Sequence, residues 1–424
     1  MKLTDDEKAM LDGKDGETVQ RAMDFLVRYA EALGAEKFVN TNNVGGYLIA
    51  DRENYSRLGQ DFDRVFSFRG LDSDKKFVFP KVKAYSCQFE TDMDPDYYLI
   101  QGKDEEDVRR YKANEKYLAD IGVDLMCTCT PYQVGNVPVK GEHCAWMESS
   151  AVVYINSVLG ARTNCEGNSS STAAMLTGKT PYWGYHTDEY RLGTHLIAVE
   201  HDVEGMMEWG LLGYFVGKAV GEKVPVVDGI KTIPTRDILK QFGAATASSG
   251  GVELYHIPGI TAEANTLEEA FGGKKSIHTL KYGKEERAWA YEQLNVLGKS
   301  RDVDFVMFGC PHNSLEQTRE ICKLIEGKHI KDGSSLWILM PRALKDTATR
   351  NGFTKIIEDA GGVIMSDTCP AIGHIMPKGT KVMATNSAKQ AHYLPSMMNI
   401  ESWYGTTKEC VNAAITGLWE GELK

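Results

Sequence analysis

The chain predicts an α/β fold of several subdomains with mainly parallel sheets, on three observations. Its C-terminal third alternates apolar strand runs with helical ones, the signature of a parallel sheet whose functional loops lie at the strand C-terminal ends. Three cysteines stand where strands run into loops, in Cys127-Thr128-Cys129-Thr130-Pro131-Tyr132, Gly309-Cys310-Pro311-His312-Asn313-Ser314 and Asp367-Thr368-Cys369-Pro370. The third observation is size: 424 residues with 42% hydrophobic content can bury large cores in two or three subdomains.

In chain order, Thr4 and Glu7 form a capping-box pattern that opens a short helix through Met10 and Leu11, ending at Gly13. Val19, Ala22, Met23, Leu26, Tyr29 and Leu33 then recur at helical spacing, with Gly34 as the stop. Residues 40–100 are mixed and aromatic and give no clear element order. A charged helix is expected over 104–119, followed by the strand Val123-Asp124-Leu125-Met126, which delivers Cys127 and Cys129. The tract 141–183 is rich in Ser, Asn, Gly and Thr around an apolar stretch from Ala151 to Leu159. Further on, 304–308 reads as a buried strand ended by Cys310, and Ser314 with Gln317 makes a capping box for a helix through Leu324. Strands over 336–340, 363–365 and 381–384 follow, with a helix over 346–360 closed by Gly361-Gly362. The tentative division is 1–240 and 241–424, with no low-complexity linker between them.

A net charge of −11 without a Lys/Arg-dense stripe argues against nucleic acid or an anionic membrane as partner. The N-terminus opens on a charged helix, and no apolar run is long enough to span a bilayer, so a cytoplasmic protein is expected. In a reducing compartment the nine cysteines are ligands, catalytic groups or filler rather than disulfide partners. Free cysteine usually packs as a small hydrophobe, and Cys87, Cys322 and Cys410 fit that description. Of the other six, Cys127, Cys129, Cys310 and Cys369 are the candidates for chemistry. A proline at or shortly after a thiol stops the strand and fixes where the sulfur points. Three thiolates converging from strand ends suit iron or an iron–sulfur cluster with a position open to substrate.

A second polar constellation spans Gly141-Glu142-His143-Cys144 through Arg162-Thr163-Asn164-Cys165-Glu166-Gly167. Arg162 offers a fork for a carboxylate or phosphate, Glu166 a proton carrier, and His143 a base or a structural histidine. The plainer alternative is that Arg162 and Glu166 pair on a surface turn. Thr246 to Gly251, with Ser248 and Ser249, is either an anion cradle of N–H groups or an ordinary turn.

The runs CTCTPY, GEHCAWMESSAVVYINSVLGARTNCEG, ASSGGVELYHIPGITAEA, FGCPHNSLEQ, DTCPAIG and ATNSAKQAHYLP, with the opening Leu3-Thr4 to Asp12-Gly13, together resemble the large catalytic subunit of the aconitase X family over essentially the whole chain. The resemblance implies an aconitase-like large-subunit fold around a central cleft, an iron or iron–sulfur centre, and hydro-lyase activity. Activities in that family include dehydration of cis-3-hydroxy-L-proline and of phosphomevalonate. It places the metal ligands at Cys129, Cys310 and Cys369, with Cys127 as the fallback, and Arg162, Asn164 and Glu166 on the substrate side. Ser387 and Lys389 match the family's late S-x-K run and are expected near substrate. Two positions depart from the pattern: Cys165 stands where a basic residue is expected and Cys144 where an apolar one is usual.

The resemblance also implies a small swivelling subunit or domain that supplies a serine base. That domain is expected to be absent from this chain, which would then be inactive alone. Because the matched runs hold no basic cluster beyond Arg162 and Lys389, cis-3-hydroxy-L-proline is the expected substrate, with phosphomevalonate as the alternative. A rival of another class is a non-catalytic protein with a structural zinc, but the only close thiol pair is Cys127-x-Cys129. A serine hydrolase or a dinucleotide-binding dehydrogenase lacks its glycine-framed turn here.

Overall fold

The computed structural model describes residues 1–424. Three parallel sheets organise the molecule. The first orders its strands Val123–Asp124, Ser86–Gln88, Val44–Gly46 and Ala145–Trp146. In the second, His195–Val199 lies between Pro225–Asp228 and His278–Tyr282. The third has five strands, in the order Val363–Met365, Ser335–Leu339, Phe305–Phe308, Val382–Thr385 and Glu401–Tyr404. Pairing within all three sheets is parallel. The one antiparallel pair, Phe38–Asn40 with Lys179–Pro181, stands apart.

The first sheet is built from strands of two or three residues, too short for side-chain alternation to be read in sequence, and this is why 40–100 resisted ordering. Both capping boxes form: Thr4 with Glu7 ahead of Asp5–Leu11, and Ser314 with Gln317 ahead of Leu315–Ile325. The helix expected over 346–360 is two helices, Arg342–Arg350 and Phe353–Asp359, because Gly352 between them takes a left-handed conformation with φ +79°. Cys322 and Cys410 are buried in the apolar cluster of the third sheet, while Cys87, also buried, accepts from Asn136 Nδ2 at 3.4 Å.

One apolar cluster packs Val19, Met23 and Leu26 of the helix Glu17–Leu33 against the first sheet and the helix Asn168–Thr177. The third sheet is covered on both faces, by Ile321, Ile325 and Val411 on one side and by Ile375, Leu394 and Ile400 on the other. Such double coverage makes its strands continuous apolar runs, and each fully buried large side chain contributes about 1.5–3 kcal/mol. The helices Gly205–Val220 and Arg236–Gly250 lie so close that a Cβ on Gly250 would stand 1.9 Å from the Gly217 carbonyl oxygen. Met207, Leu211 and Tyr214 of the first of these pack on Ala388 and Tyr404, which ties the second sheet's layer to the third. No helix is long and apolar enough to cross a membrane.

Candidate active site

The C-terminal ends of the first and third sheets face one another, and each strand of the first sheet delivers a polar side chain there. Tyr47 follows Val44–Gly46, Glu90 follows Ser86–Gln88, Cys129 follows Val123–Asp124, and Glu148 follows Ala145–Trp146. From the opposite sheet come Cys310 and His312 after Phe305–Phe308, Cys369 after Val363–Met365, and Ser387 and Lys389 after Val382–Thr385. A single bridge between Thr91 and Thr368 joins the two sheets beside the cluster, with the Thr91 N–H donating to the Asp367 carbonyl at 2.6 Å. Gly309, with φ +98°, makes the turn into Cys310, where a Cβ would stand 2.1 Å from the Leu339 carbonyl oxygen.

Cys129, Cys310 and Cys369 are all buried and none forms a disulfide. Burial raises all three thiols, Cys310 to about 11, while Glu90 pushes Cys129 and Cys369 further up. Cys129 and Cys369 are each raised further by a charge on Cys310. A thiol set that burial and mutual repulsion hold protonated is one that a soft cation, by replacing the protons, would stabilise. A backbone N–H already points at one of the sulfurs, His312 N–H at Cys129 Sγ (3.3 Å). The residues present therefore fit a thiolate-held iron centre.

Glu90, Cys129 and His312 offer ligand atoms within 4.8 Å of one another. His312, however, has both ring nitrogens engaged: Nδ1 lies 2.8 Å from Thr128 Oγ1, and Nε2 lies 3.0 Å from the Thr368 carbonyl. The carbonyl only accepts, so Nε2 carries the proton and Nδ1 accepts from Thr128. Burial lowers His312 to about 4, which keeps the ring neutral. His312 is thus a clasp between the Cys129 and Cys369 loops rather than a free ligand.

Lys389 forms a buried ion pair with Glu148. Burial opposes both charges, yet the pairing holds Glu148 well below and Lys389 well above their ordinary values. Tyr47 Oη lies 2.6 Å from Glu148 Oε2 and 2.9 Å from Glu90 Oε2. A phenol has one proton, so one contact needs a protonated carboxyl, and Glu148, ionised against Lys389, leaves that proton to Glu90. Burial and the Glu148 charge raise Glu90 in agreement with this count.

Of the residues singled out from sequence, Cys129, Cys310, Cys369, Ser387 and Lys389 come together here. Ser387 donates to the Cys310 carbonyl at 2.5 Å and caps the helix Ala388–Met398, so its hydroxyl positions the cysteine loop. Cys127 takes φ +47° and its thiol turns to a separate buried group, with Asp367 and Glu115 raising it after burial. Arg162 pairs with Asp188 and donates to the His186 carbonyl at 3.0 Å, not with Glu166. His143 Nδ1 lies 3.0 Å from His186 Nδ1, away from the thiols. Asn164 donates to the Trp183 carbonyl and accepts from Tyr185 N–H, while Thr163 donates to the Asn164 carbonyl at 2.7 Å; both shape local backbone. Glu166 is buried with Oε2 unpartnered, and burial raises it to about 7. Cys165 is exposed, its thiol 3.1 Å from the Met147 carbonyl, and Cys144 is core.

The reading of Ser248 and Ser249 as part of an anion cradle is corrected. They lie in the last turn of Arg236–Gly250, donating to the Ala244 and Ala245 carbonyls at 2.7 and 2.8 Å. A helix C-terminus presents carbonyls, the wrong sign for an anion. Reading the sequence missed Tyr47, Glu90, Glu148 and His312. Glu148 lies in the GEHCAWMESS run and His312 in FGCPHNSLEQ, where its place beside Cys310 is the readable signal; Tyr47 and Glu90 follow strands of three residues and carry none.

Comparison with known proteins gives the family and the fold. Residues 1–189, 193–292 and 303–416 match the first, second and third domains of aconitase X, one parallel sheet in each. The phosphomevalonate dehydratase large subunit of Methanocaldococcus jannaschii is 38% identical, over 96% of this chain and 99% of that protein. The cis-3-hydroxy-L-proline dehydratase of Pseudomonas aeruginosa is 30% identical, over 97% of this chain and 69% of that protein. The crystal structure of Thermococcus kodakaraensis aconitase X in its holo form superposes with a TM-score of 0.82 at 32% identity, over 98% of this chain and all of that one. With two facing parallel sheets carrying buried thiols, matched along its length by dehydratases, the chain belongs to the aconitase X family of hydro-lyases.

Proposed function

We propose that this chain is the large subunit of an iron-dependent dehydratase that removes water from a small hydroxy acid together with a separate small subunit. The observation that carries the reading is the meeting of Cys129, Cys310 and Cys369 with the Lys389–Glu148 pair at the ends of two sheets. The three thiols would hold iron or an iron–sulfur cluster, which when bound supplies a Lewis acid for the departing hydroxide. Glu90 holds a proton at its carboxyl beside Cys129, Lys389, its charge matched by Glu148, offers its remaining N–H donors to an acid group, and Tyr47 fixes the two carboxyls relative to each other. The relatives named "large subunit" support a small-subunit partner, and the base is assigned to that partner.

For the substrate, the local charge supports cis-3-hydroxy-L-proline. Lys389 is matched by Glu148, Arg162 by Asp188, and Ser248 and Ser249 offer no N–H cradle for a phosphate. Sequence identity favours a second reading, phosphomevalonate, at 38% against 30% for the relatives named above. The test is anaerobic incubation of the chain, co-produced with a small subunit of the family, with each compound in parallel, following loss of one water by mass. Turnover of hydroxyproline alone is expected; turnover of phosphomevalonate alone assigns the second reading. Turnover of neither by an iron-loaded complex overturns both, and turnover by the isolated chain removes the role given to the small subunit.

A further inference from the structure

Residue His312 is held from all three domains. Thr128 and Gln133 reach it from the first, Gln133 Nε2 donating to its carbonyl at 3.0 Å, and Thr368 reaches it from the third. The second domain contributes one group, Lys240, whose ammonium donates to the same carbonyl at 2.9 Å and to Gln317 Oε1 at 2.6 Å. Lys240 is 1% exposed and pairs with Asp237 at 3.1 Å. It stands four residues into a helix that the contact of Gly217 with Gly250 locks against its neighbour, so its origin cannot drift.

A fully buried ammonium is costly, and a carbonyl, an amide and one carboxylate that is itself partly exposed do not explain its retention where a neutral donor would fill the same bonds. Its other neighbours do. Burial works against the Lys240 charge and Asp237 is its largest support; Cys129 and Cys310, once thiolate, add to that support, and the carbonyl Lys240 grips belongs to the residue whose N–H points at Cys129 Sγ. Lys240 is therefore joined to the thiol cluster through the backbone of His312.

We propose that Lys240 is a positioning residue of the thiol site: it fastens the Cys310-Pro311-His312 turn to the second domain, and its positive charge offsets the negative charge that three thiolates bring when they hold iron. The proposal rests on the reading of Cys129, Cys310 and Cys369 as iron ligands. It assigns the second domain a direct part in the metal centre, through a side chain that touches neither thiol nor substrate.

The test compares wild type, Lys240→Met, Lys240→Arg and Asp237→Asn, each co-produced with the small subunit and reconstituted anaerobically with iron and sulfide. Three quantities are read: iron per chain, the rate of iron loss to a chelator, and the midpoint potential of the centre. Lys240→Met is expected to lose iron at least tenfold faster and to show a lower midpoint potential, since a positive charge near the centre is gone. Lys240→Arg keeps the charge and is expected to restore iron retention to within threefold. Asp237→Asn removes the counter-ion of Lys240 and is expected to raise the potential, which keeps the proposal exposed even if Lys240→Met fails to fold. A wild-type complex that takes up no iron overturns the ligand reading and this proposal together. Iron in the wild type, with loss rate and potential unchanged in Lys240→Met, or with potential unmoved or lowered in Asp237→Asn, overturns the role of Lys240 alone.

Discussion

Lys389 and Glu148 meet as a buried ion pair although 241 residues separate them, one after a strand of the third domain and the other after a strand of the first. Two opposite sheets thus contribute the two partners of the pair. Removing one partner strands the other charge in the interior, so Glu148→Ala and Lys389→Ala are each expected to cost about 3–5 kcal/mol. The double substitution should cost less than the sum. Denaturant unfolding of the four proteins in a double-mutant cycle checks this, and additive losses would show that the pair does not act as a unit.

Ligation by thiols divides the cysteines. Cys129→Ser, Cys310→Ser and Cys369→Ser are each expected to lower reconstituted iron at least tenfold, whereas Cys127→Ser and Cys165→Ser should load as the wild type does. The reason lies in direction: Cys127 and Cys129 are two residues apart, but φ +47° at Cys127 turns its thiol toward Asp367 instead of Glu90. Iron analysis of each purified variant decides, and loss of iron in Cys127→Ser would contradict the assignment.

His312→Gln keeps donors and acceptors but cannot span both Thr128 and the Thr368 carbonyl. Losing a doubly bonded buried group of this kind is expected to cost about 1–3 kcal/mol and to loosen the Cys129 and Cys369 loops. If the imidazole is a clasp and not a ligand, iron retention falls while the absorption and paramagnetic spectra of the iron that remains keep the wild-type shape. A changed spectrum would make His312 a ligand.

Glu166 gives a pH dependence. Its carboxyl titrates at about 7 in the folded chain because burial disfavours the charge, against an ordinary value of 4.5. Between those values the folded chain holds a proton that the unfolded chain releases. The stability it contributes is therefore full below pH 4.5 and is lost as the pH rises through 7, by up to about 3 kcal/mol. Glu166→Gln fixes the neutral form, so the wild type should fall behind this variant between pH 5 and 8. Unfolding curves at the two pH values measure the difference, and parallel behaviour would mean that Glu166 is ionised and paired in the fold.

The sequence by itself determined the parts of this protein that depend on near neighbours along the chain. The box of Ser314 and Gln317, the stop at Gly34 and the apolar run 305–308 are local patterns, and the structure holds each of them. Cysteines at strand ends were legible for the same reason, since proline and a closing strand are both local signals. Ser387 and Lys389 were placed near substrate only through family resemblance, and the structure brings both to the thiols. Tertiary structure alone decided what lies across space. Arg162 found Asp188 instead of Glu166, Ser248 and Ser249 were absorbed by the end of a helix, and Tyr47 and Glu90 reached the site from three-residue strands with no periodicity to announce them. Side-chain partners depend on which strand ends are brought face to face, and that is set by the packing of whole sheets and helices, which no short window of sequence contains.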